Sequence, residues 1–283
     1  MQTIERLKRV TNAKEITGPP VRYTGSKWRI APWVISHFPP HTCYVEPFCG
    51  GASVLFRKSP SAVEVINDLN GEVINFFEVL RNRTPDLQRA IALTPFSRSE
   101  LKRAHEPHAD SLEQARRFYV RCWQKFTGGS EGHTGSWRYK EVQGKSPLKY
   151  WLNQDRLIQA AERLRGVYIE SDAALNILSR YDDPQALFYC DPPYVSDACT
   201  EDVYADTMTD ADHRILSECL HSIKGMALIS GYDSPLYQEL YADWRMVTKQ
   251  AYTIRSFART ECLWISPRAS AAMGYGPLFG GVS

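Results

Sequence analysis

The chain has 283 residues, 34 basic and 32 acidic side chains and a formal net charge of +2, enough length for one large or two small domains. That balance excludes a molecule that grips polyanions by bulk charge, so any nucleic-acid site must come from local clustering. Seven scattered cysteines with no C-x-x-C pair, no His/Cys group at zinc spacing and no apolar run near the roughly 20 residues of a membrane span point to a soluble, metal-free, cytoplasmic protein with reduced thiols.

Residues 1–19 are polar and run into the prolines of TGPP, so they read as a loose lead-in. The spacing of Trp28, Ile30, Ala31, Val34 and Ile35 predicts a helix from Lys27 to about His37, stopped by FPP. CYVEPF (43–48) reads as a short strand that breaks into Gly50-Gly51, with ASVLFRK after it expected to be helical. AVEVIND (62–68) is a second strand signal, followed by a helical pattern at Val73, Ile74, Phe76, Phe77, Val79 and Leu80. Strand, glycine turn, helix and strand make a βαβ unit and imply an α/β fold with a parallel sheet.

From about 94 to 166 the texture changes. SLEQARRFYVRCWQKF (111–126) and QDRLIQAAERL (154–164) are helical by spacing, while 127–151 is rich in glycine, basic and aromatic residues. Strand signals resume at GVYIES (166–171), ALFYC (186–190), GMALIS (225–230), WRMVTKQAY (244–252) and ECLWIS (261–266). The helix DADHRILSECLHSI (210–223) lies among them, with Thr209 or Asp210 as its cap and His213 expected on its surface. The end, 269–283, is small and Gly-rich and reads as a loose tail.

Three short stretches carry chemistry. In VEPFCGGAS (45–53) a strand ends in a glycine turn, where backbone approaches a ligand closely. No G-K-[ST] follows this turn and there is no complete G-x-G-x-x-G, which excludes a P-loop here and disfavours NAD. Asp68, at the end of the second strand, stands where a carboxylate takes ribose hydroxyls; a helix N-cap is the other reading. In VRYTGSKWRI (21–30), Tyr23 can cover a ring and Lys27 can meet a carboxylate, or the stretch is a turn capped by Ser26.

The third stretch is DPPY, Asp191 to Tyr194, directly after the apolar FYC. An exocyclic amine on adenine is a poor nucleophile because its lone pair is delocalised into the ring. The Asp191 carboxylate and the Pro192 carbonyl can accept both N–H hydrogens, with Pro192 and Pro193 holding them rigid. Tyr194 can stack on a base swung out of its helix. The same two acceptors serve the N4 amine of cytosine equally well.

Together, RYTGSK, EPFCGGASVLF, INDLNGEVINFF and CDPPY resemble the four motifs of the DNA adenine N6-methyltransferases of the Dam (D12) family, over most of residues 20–266. The resemblance implies a Rossmann-like methyltransferase sheet with helices on both faces, and S-adenosylmethionine as cofactor. By resemblance, Tyr23, Lys27, Glu46, Phe48, Gly50, Gly51, Asp68 and Asp191 contact that cofactor. Asp191, Pro192, Pro193 and Tyr194 are the implied catalytic set, acting on double-stranded DNA by base flipping. Two positions depart from the pattern: Tyr23 stands where Trp is common, and Ala52 fills the third small position of F-x-G-x-G.

The motif order resembles the α class, which implies a catalytic domain of 20–93 and 167–268 with a target-recognition domain at 94–166 between. That segment carries Arg116, Arg117, Arg121, Lys125, Arg138, Lys140, Lys145 and Lys149, interleaved with Trp123, Phe126, Trp137, Tyr139, Tyr150 and Trp151. Arg116, Lys125, Trp137, Arg138, Tyr139, Lys140 and Lys145 are the candidate DNA contacts. Arg255, Arg259 and Glu261 are read as a connection between the last two strands that could also face DNA. No obligate protein partner is implied, and a monomer is expected. Asp rather than Ser before PPY favours adenine over cytosine by family habit. Methylation of RNA, or of protein glutamine (whose enzymes usually resemble NPPY), and a non-catalytic DNA-binding module are the rival readings.

Overall fold

The computed structural model describes residues 16–125, 137–138, 147–194, 208–252 and 258–275, which form two compact units. One unit takes 16–26, 72–125, 137–138 and 147–167; the other takes 27–71, 168–194, 208–252 and 258–275.

The second unit is built on a seven-stranded sheet in the order β3-β2-β1-β4-β5-β7-β6. Its strands are β1 (Cys43–Glu46), β2 (Val63–Asn67), β3 (Val167–Glu170), β4 (Ala186–Cys190), β5 (Met226–Gly231), β6 (Arg245–Tyr252) and β7 (Ala258–Ile265). β1 pairs parallel with both β2 and β4, and β4 parallel with β5; β7 is antiparallel to both β5 and β6. From β1 the chain first builds outward on the β2 side, then returns to β4 on the other side. The crevice beyond the ends of β1 and β4 is therefore the switch point where open α/β sheets bind ligands.

Strand alternation sorts the two faces of this sheet. Val45, Phe188, Cys190, Ala227 and Ile229 are buried together with Ile177 and Leu178 of α8 (Ala174–Arg180), Leu216 and Leu220 of α9 (Asp210–Ser222), and Leu236 of α10 (Pro235–Leu240). Tyr44, Glu46, Tyr189, Asp191 and Ser230 take the opposite face. There the Phe38 ring lies 5.5 Å from Tyr44 and 6.0 Å from Tyr189, just past helix α1 (Ala31–Ile35).

In the other unit, α2 (Gly71–Asn82, in this unit from Glu72), α3 (Thr84–Ala92), α4 (Arg98–Arg103), α6 (Pro147–Leu152) and α7 (Asp155–Arg163) accompany a central helix, α5 (Ser111–Gln124). α5 buries Ala115, Phe118, Tyr119, Cys122 and Trp123, the spacing of one helical face. Asp110 caps it by accepting from the Glu113 amide.

Several expectations change. α1 is five residues long rather than eleven, because Pro32 sits in its first turn and Lys27 serves as the carbonyl before it. ASVLFRK is a run of turns, not a helix. Ala52 stands at φ +49, outside the helical region, and the Leu55 amide is taken by the Glu46 carboxylate at 2.6 Å. His213 is 1% exposed, not on the surface, and its ring packs edge-on against Tyr237. Glu261 and Arg259 belong to β7 itself, while Arg255 lies outside the described residues. The stretch 269–275 is not a loose tail: Ala269 is fully buried in α11 (Pro267–Ala272), and 276–283 lie outside the described residues. Among the described residues, no helix is long and apolar enough to cross a membrane.

Candidate active site

The turn after β1 is held from two sides. The Cys49 amide donates to the Asn67 carbonyl at 2.8 Å, and the Gly50 amide to Asp68 Oδ2 at 2.8 Å. Gly50 stands at φ +47, a conformation that glycine adopts without steric cost. Ala52 takes φ +49 while fully buried, a strain of order 1 kcal/mol. Asp68 Oδ1 meanwhile accepts from the Asn70 amide at 3.0 Å. Asp68 thus makes its own local turn and closes the glycine turn at once.

Glu46, buried at the end of β1, accepts from Tyr44 Oη at 2.8 Å and from the Leu55 amide. Burial raises its pKa to about 7, although both hydrogen bonds favour the carboxylate. Asn67 is a residue that motif reading missed. Its buried amide donates to the Pro47 carbonyl and the Asp172 carbonyl, and accepts from the Asp172 amide, each at 2.9 Å. A polar residue directly after the buried pair Val65-Ile66 was the available signal.

Asp191 leaves β4 at the switch point. Its Oδ2 lies 2.9 Å from Lys27 Nζ, and its Oδ1 accepts from Ser230 Oγ at 3.0 Å. Lys27, expected at a cofactor carboxylate, is 7% exposed and pairs with Asp191, with its ammonium 4.7 Å from the Tyr194 ring centroid. Tyr194 donates to Glu261 Oε2 at 3.1 Å, and its ring meets Tyr232 edge-on at 4.6 Å. Burial, then Asp191 and Glu261, push the Tyr194 phenol well above its ordinary value, so it stays protonated. Lys27, Asp191, Pro192, Pro193 and Tyr194 therefore share one end of the sheet with Glu46, Phe48, Gly50, Gly51 and Asp68. Tyr23 belongs to the other unit, with its ring 6.4 Å from Phe118. Among the described residues, no group of three His, Cys, Asp or Glu could hold a metal ion.

The candidate DNA contacts separate into three kinds. Arg116 gives its donors to Glu113 and Glu100 at 2.6 Å and to Thr94 at 3.0 Å. Lys125 is 1% exposed, and burial together with Arg121 lowers its pKa. Both side chains are turned into the interior of their unit. Trp137 and Arg138 are half-buried and return beside the end of α5: Lys125 and Trp137 form an antiparallel bridge, and the Arg138 amide donates to the Gln124 carbonyl at 2.8 Å. The Trp137 ring lies 5.7 Å from Phe96, with the Arg98 guanidinium 5.1 Å from its centroid. Tyr139, Lys140 and Lys145 lie outside the described residues.

A family model described as D12 class N6 adenine-specific DNA methyltransferase matches residues 23–254. The DNA adenine methylases of Salmonella typhi and Serratia marcescens are each 24% identical over 78% of this chain, covering 83% and 86% of their own. That of Escherichia coli K12 is 21% identical over 78% of this chain and 83% of its own. The matched range includes the glycine turn, Asp68 and CDPPY, and the family decides between adenine and cytosine: the chain belongs to the D12 class N6 adenine-specific DNA methyltransferases.

Proposed function

We propose that this DNA methyltransferase draws its methyl group from S-adenosylmethionine and modifies an adenine swung out of duplex DNA. The observation that carries the reading is the fixed carboxylate of Asp191 at the switch point, on the strand next to the one that ends in the glycine turn.

The residues beyond β1 and β2 suit such a donor. Gly50 and Gly51 offer backbone without side chains, and Asp68 offers an acceptor at the ribose position. Phe48, Glu46 and Tyr23 complete the proposed set. When bound, S-adenosylmethionine supplies an electrophilic methyl carbon on a sulfonium. The Asp191 carboxylate, with about four lone-pair positions and two donors on them, retains room for one N6 hydrogen. The Pro192 carbonyl takes the other, because residues 193 and 192 lack the N–H groups that would compete. Held between the two acceptors, N6 pyramidalises and its lone pair leaves the ring. The negative charge of Asp191 offsets the positive charge that develops on nitrogen. Tyr194 stacks on the extruded base. Trp137 and Arg138, with Tyr139, Lys140 and Lys145, form the proposed DNA-contact set of the other unit.

The test is Asp191→Ala, assayed by tritium transfer to duplex DNA with nucleoside digestion. The expected result is a loss of roughly 10²–10³-fold or more with the fold retained, read from the circular-dichroism spectrum. A wild-type rate would remove the role.

A further inference from the structure

We propose that Ser230 and Tyr189 are positioning residues for the reaction: a two-hydroxyl relay, Tyr189 Oη to Ser230 Oγ to Asp191 Oδ1, sets the plane of the Asp191 carboxylate. The inference rests on the reading of Asp191 as an acceptor for the target amine, and it assigns a task to two side chains that the motifs leave without one.

The geometry follows from strand register. Tyr189 pairs with Leu228 and Cys190 with Ile229 in the parallel β4–β5 ladder, so Ser230 comes alongside Asp191. Alternation puts Tyr189, Asp191 and Ser230 on the face away from the large apolar cluster. Tyr189 and Ser230 are each 2% exposed, so water does not stand in for either hydroxyl.

Proton counting gives the relay a direction. Ser230 has one hydroxyl hydrogen and three oxygen neighbours: Asp191 Oδ1 at 3.0 Å, Tyr189 Oη at 2.8 Å and the Cys190 carbonyl at 3.4 Å. The ionised carboxylate is the strongest acceptor of the three and is nearer than the carbonyl, so it takes that hydrogen. Tyr189 must then donate to Ser230. Burial and the nearby Asp191 hold the Tyr189 phenol well above its ordinary value, which keeps that hydrogen in place. With Lys27 fixing Oδ2, each oxygen of Asp191 has its own anchor. A carboxylate held at both oxygens cannot turn about its terminal bond, and its remaining lone pairs point in fixed directions. That is the condition for accepting one N–H of a flat amine at a defined angle.

The experiment compares Ser230→Ala, Tyr189→Phe, their double variant and Ser230→Thr under single-turnover conditions with saturating duplex DNA. The dissociation constant for S-adenosylmethionine and the unfolding midpoint are measured beside the rate. Ser230→Ala is expected to lower the methyl-transfer rate about tenfold, and Tyr189→Phe about threefold, at unchanged cofactor affinity. The double variant is expected to be no slower than Ser230→Ala alone, because Tyr189 acts only through Ser230. Ser230→Thr, which keeps the hydroxyl, is expected to restore most of the rate. Wild-type turnover in Ser230→Ala, additive losses in the double variant, or a rate that falls only in step with the unfolding midpoint would each overturn the relay. Asp191→Ala is run alongside: if it alone is inactive, only the relay fails; if it too is fully active, the reading of Asp191 fails.

Discussion

The backbone amide of Gly50 points at the Asp68 carboxylate 2.8 Å away, and with the Cys49–Asn67 backbone bond it closes the turn after β1 onto the end of β2. Asp68→Ala removes the acceptor for both the Gly50 and Asn70 amides. A charged hydrogen bond of this kind contributes about 1.5–3 kcal/mol. Isothermal titration is expected to show S-adenosylmethionine binding weakened at least tenfold, while the rate at saturating cofactor changes much less.

Lys27 gives the opposite pattern. Its ammonium is paired with the Asp191 carboxylate. Lys27→Met is expected to lower the methyl-transfer rate by tenfold or more, with a cofactor dissociation constant within about threefold of wild type. Equilibrium binding and single-turnover assays on the same preparation separate the two effects.

Arg116 and Arg138 sit in one unit and are expected to fail differently. Arg116→Ala removes the guanidinium that Glu100 and Glu113 share, leaving Arg103 on the one and Arg117 on the other, and lowers the unfolding midpoint. Arg138→Ala is expected to keep the midpoint, weaken DNA binding and reduce the slope of log K against log salt by about 1. Fluorescence anisotropy across a salt series, with a thermal melt of each variant, checks both.

The ion-pair cluster on α5 makes acid the weak direction for that unit. Hydrogen bonds from Arg116, opposed by burial and helped by Arg117, lower the Glu113 pKa from 4.5 to about 2. A depressed carboxylate contributes fully above its unfolded value and loses that contribution as pH falls through the folded one. Glu113→Gln is therefore expected to be less stable than wild type by about 1–2 kcal/mol at pH 7. The gap narrows between about pH 4.5 and 2. Denaturant melts over that range measure it.

Gly231 follows Ser230 and closes β5 against aromatic rings. A Cβ there would stand 2.6 Å from Tyr237 Cε2 and 3.3 Å from Trp264 Cζ3. Both rings are at least 98% buried and cannot swing clear. Gly231→Ala is expected to destabilise the sheet unit by about 1–3 kcal/mol, read from its urea midpoint.

Much of the sheet was legible because several strands are largely apolar runs ended by Gly, Asp or Pro, as in ALFYC before Asp191 and CYVE before Pro47. What the sequence hid was mostly short helices that begin with proline. Pro32, Pro85, Pro235 and Pro267 all sit in first turns, where a missing N–H costs nothing, yet in a linear reading each looks like a break or goes unnoticed. Charge partners were hidden for a different reason: nothing in a linear reading places Glu100 beside Arg116 or closes burial over Lys125. Asp191, Lys27 and Asp68 were legible as functional types, but their partners were not, since Ser230 is 39 positions away from Asp191 and only strand pairing brings them together. His213 likewise reads as polar helix surface until Tyr237, 24 positions on, covers it.

The alternation of β4 makes the chain unusually sensitive to length just upstream of β5. Removing a single residue from the short link before Met226 would slide that strand by one step, bringing Gly231 beside the carboxylate and turning the serine hydroxyl onto the apolar face. Such a deletion would preserve nearly every apolar residue the sheet requires and still leave Asp191 held by one hand instead of two.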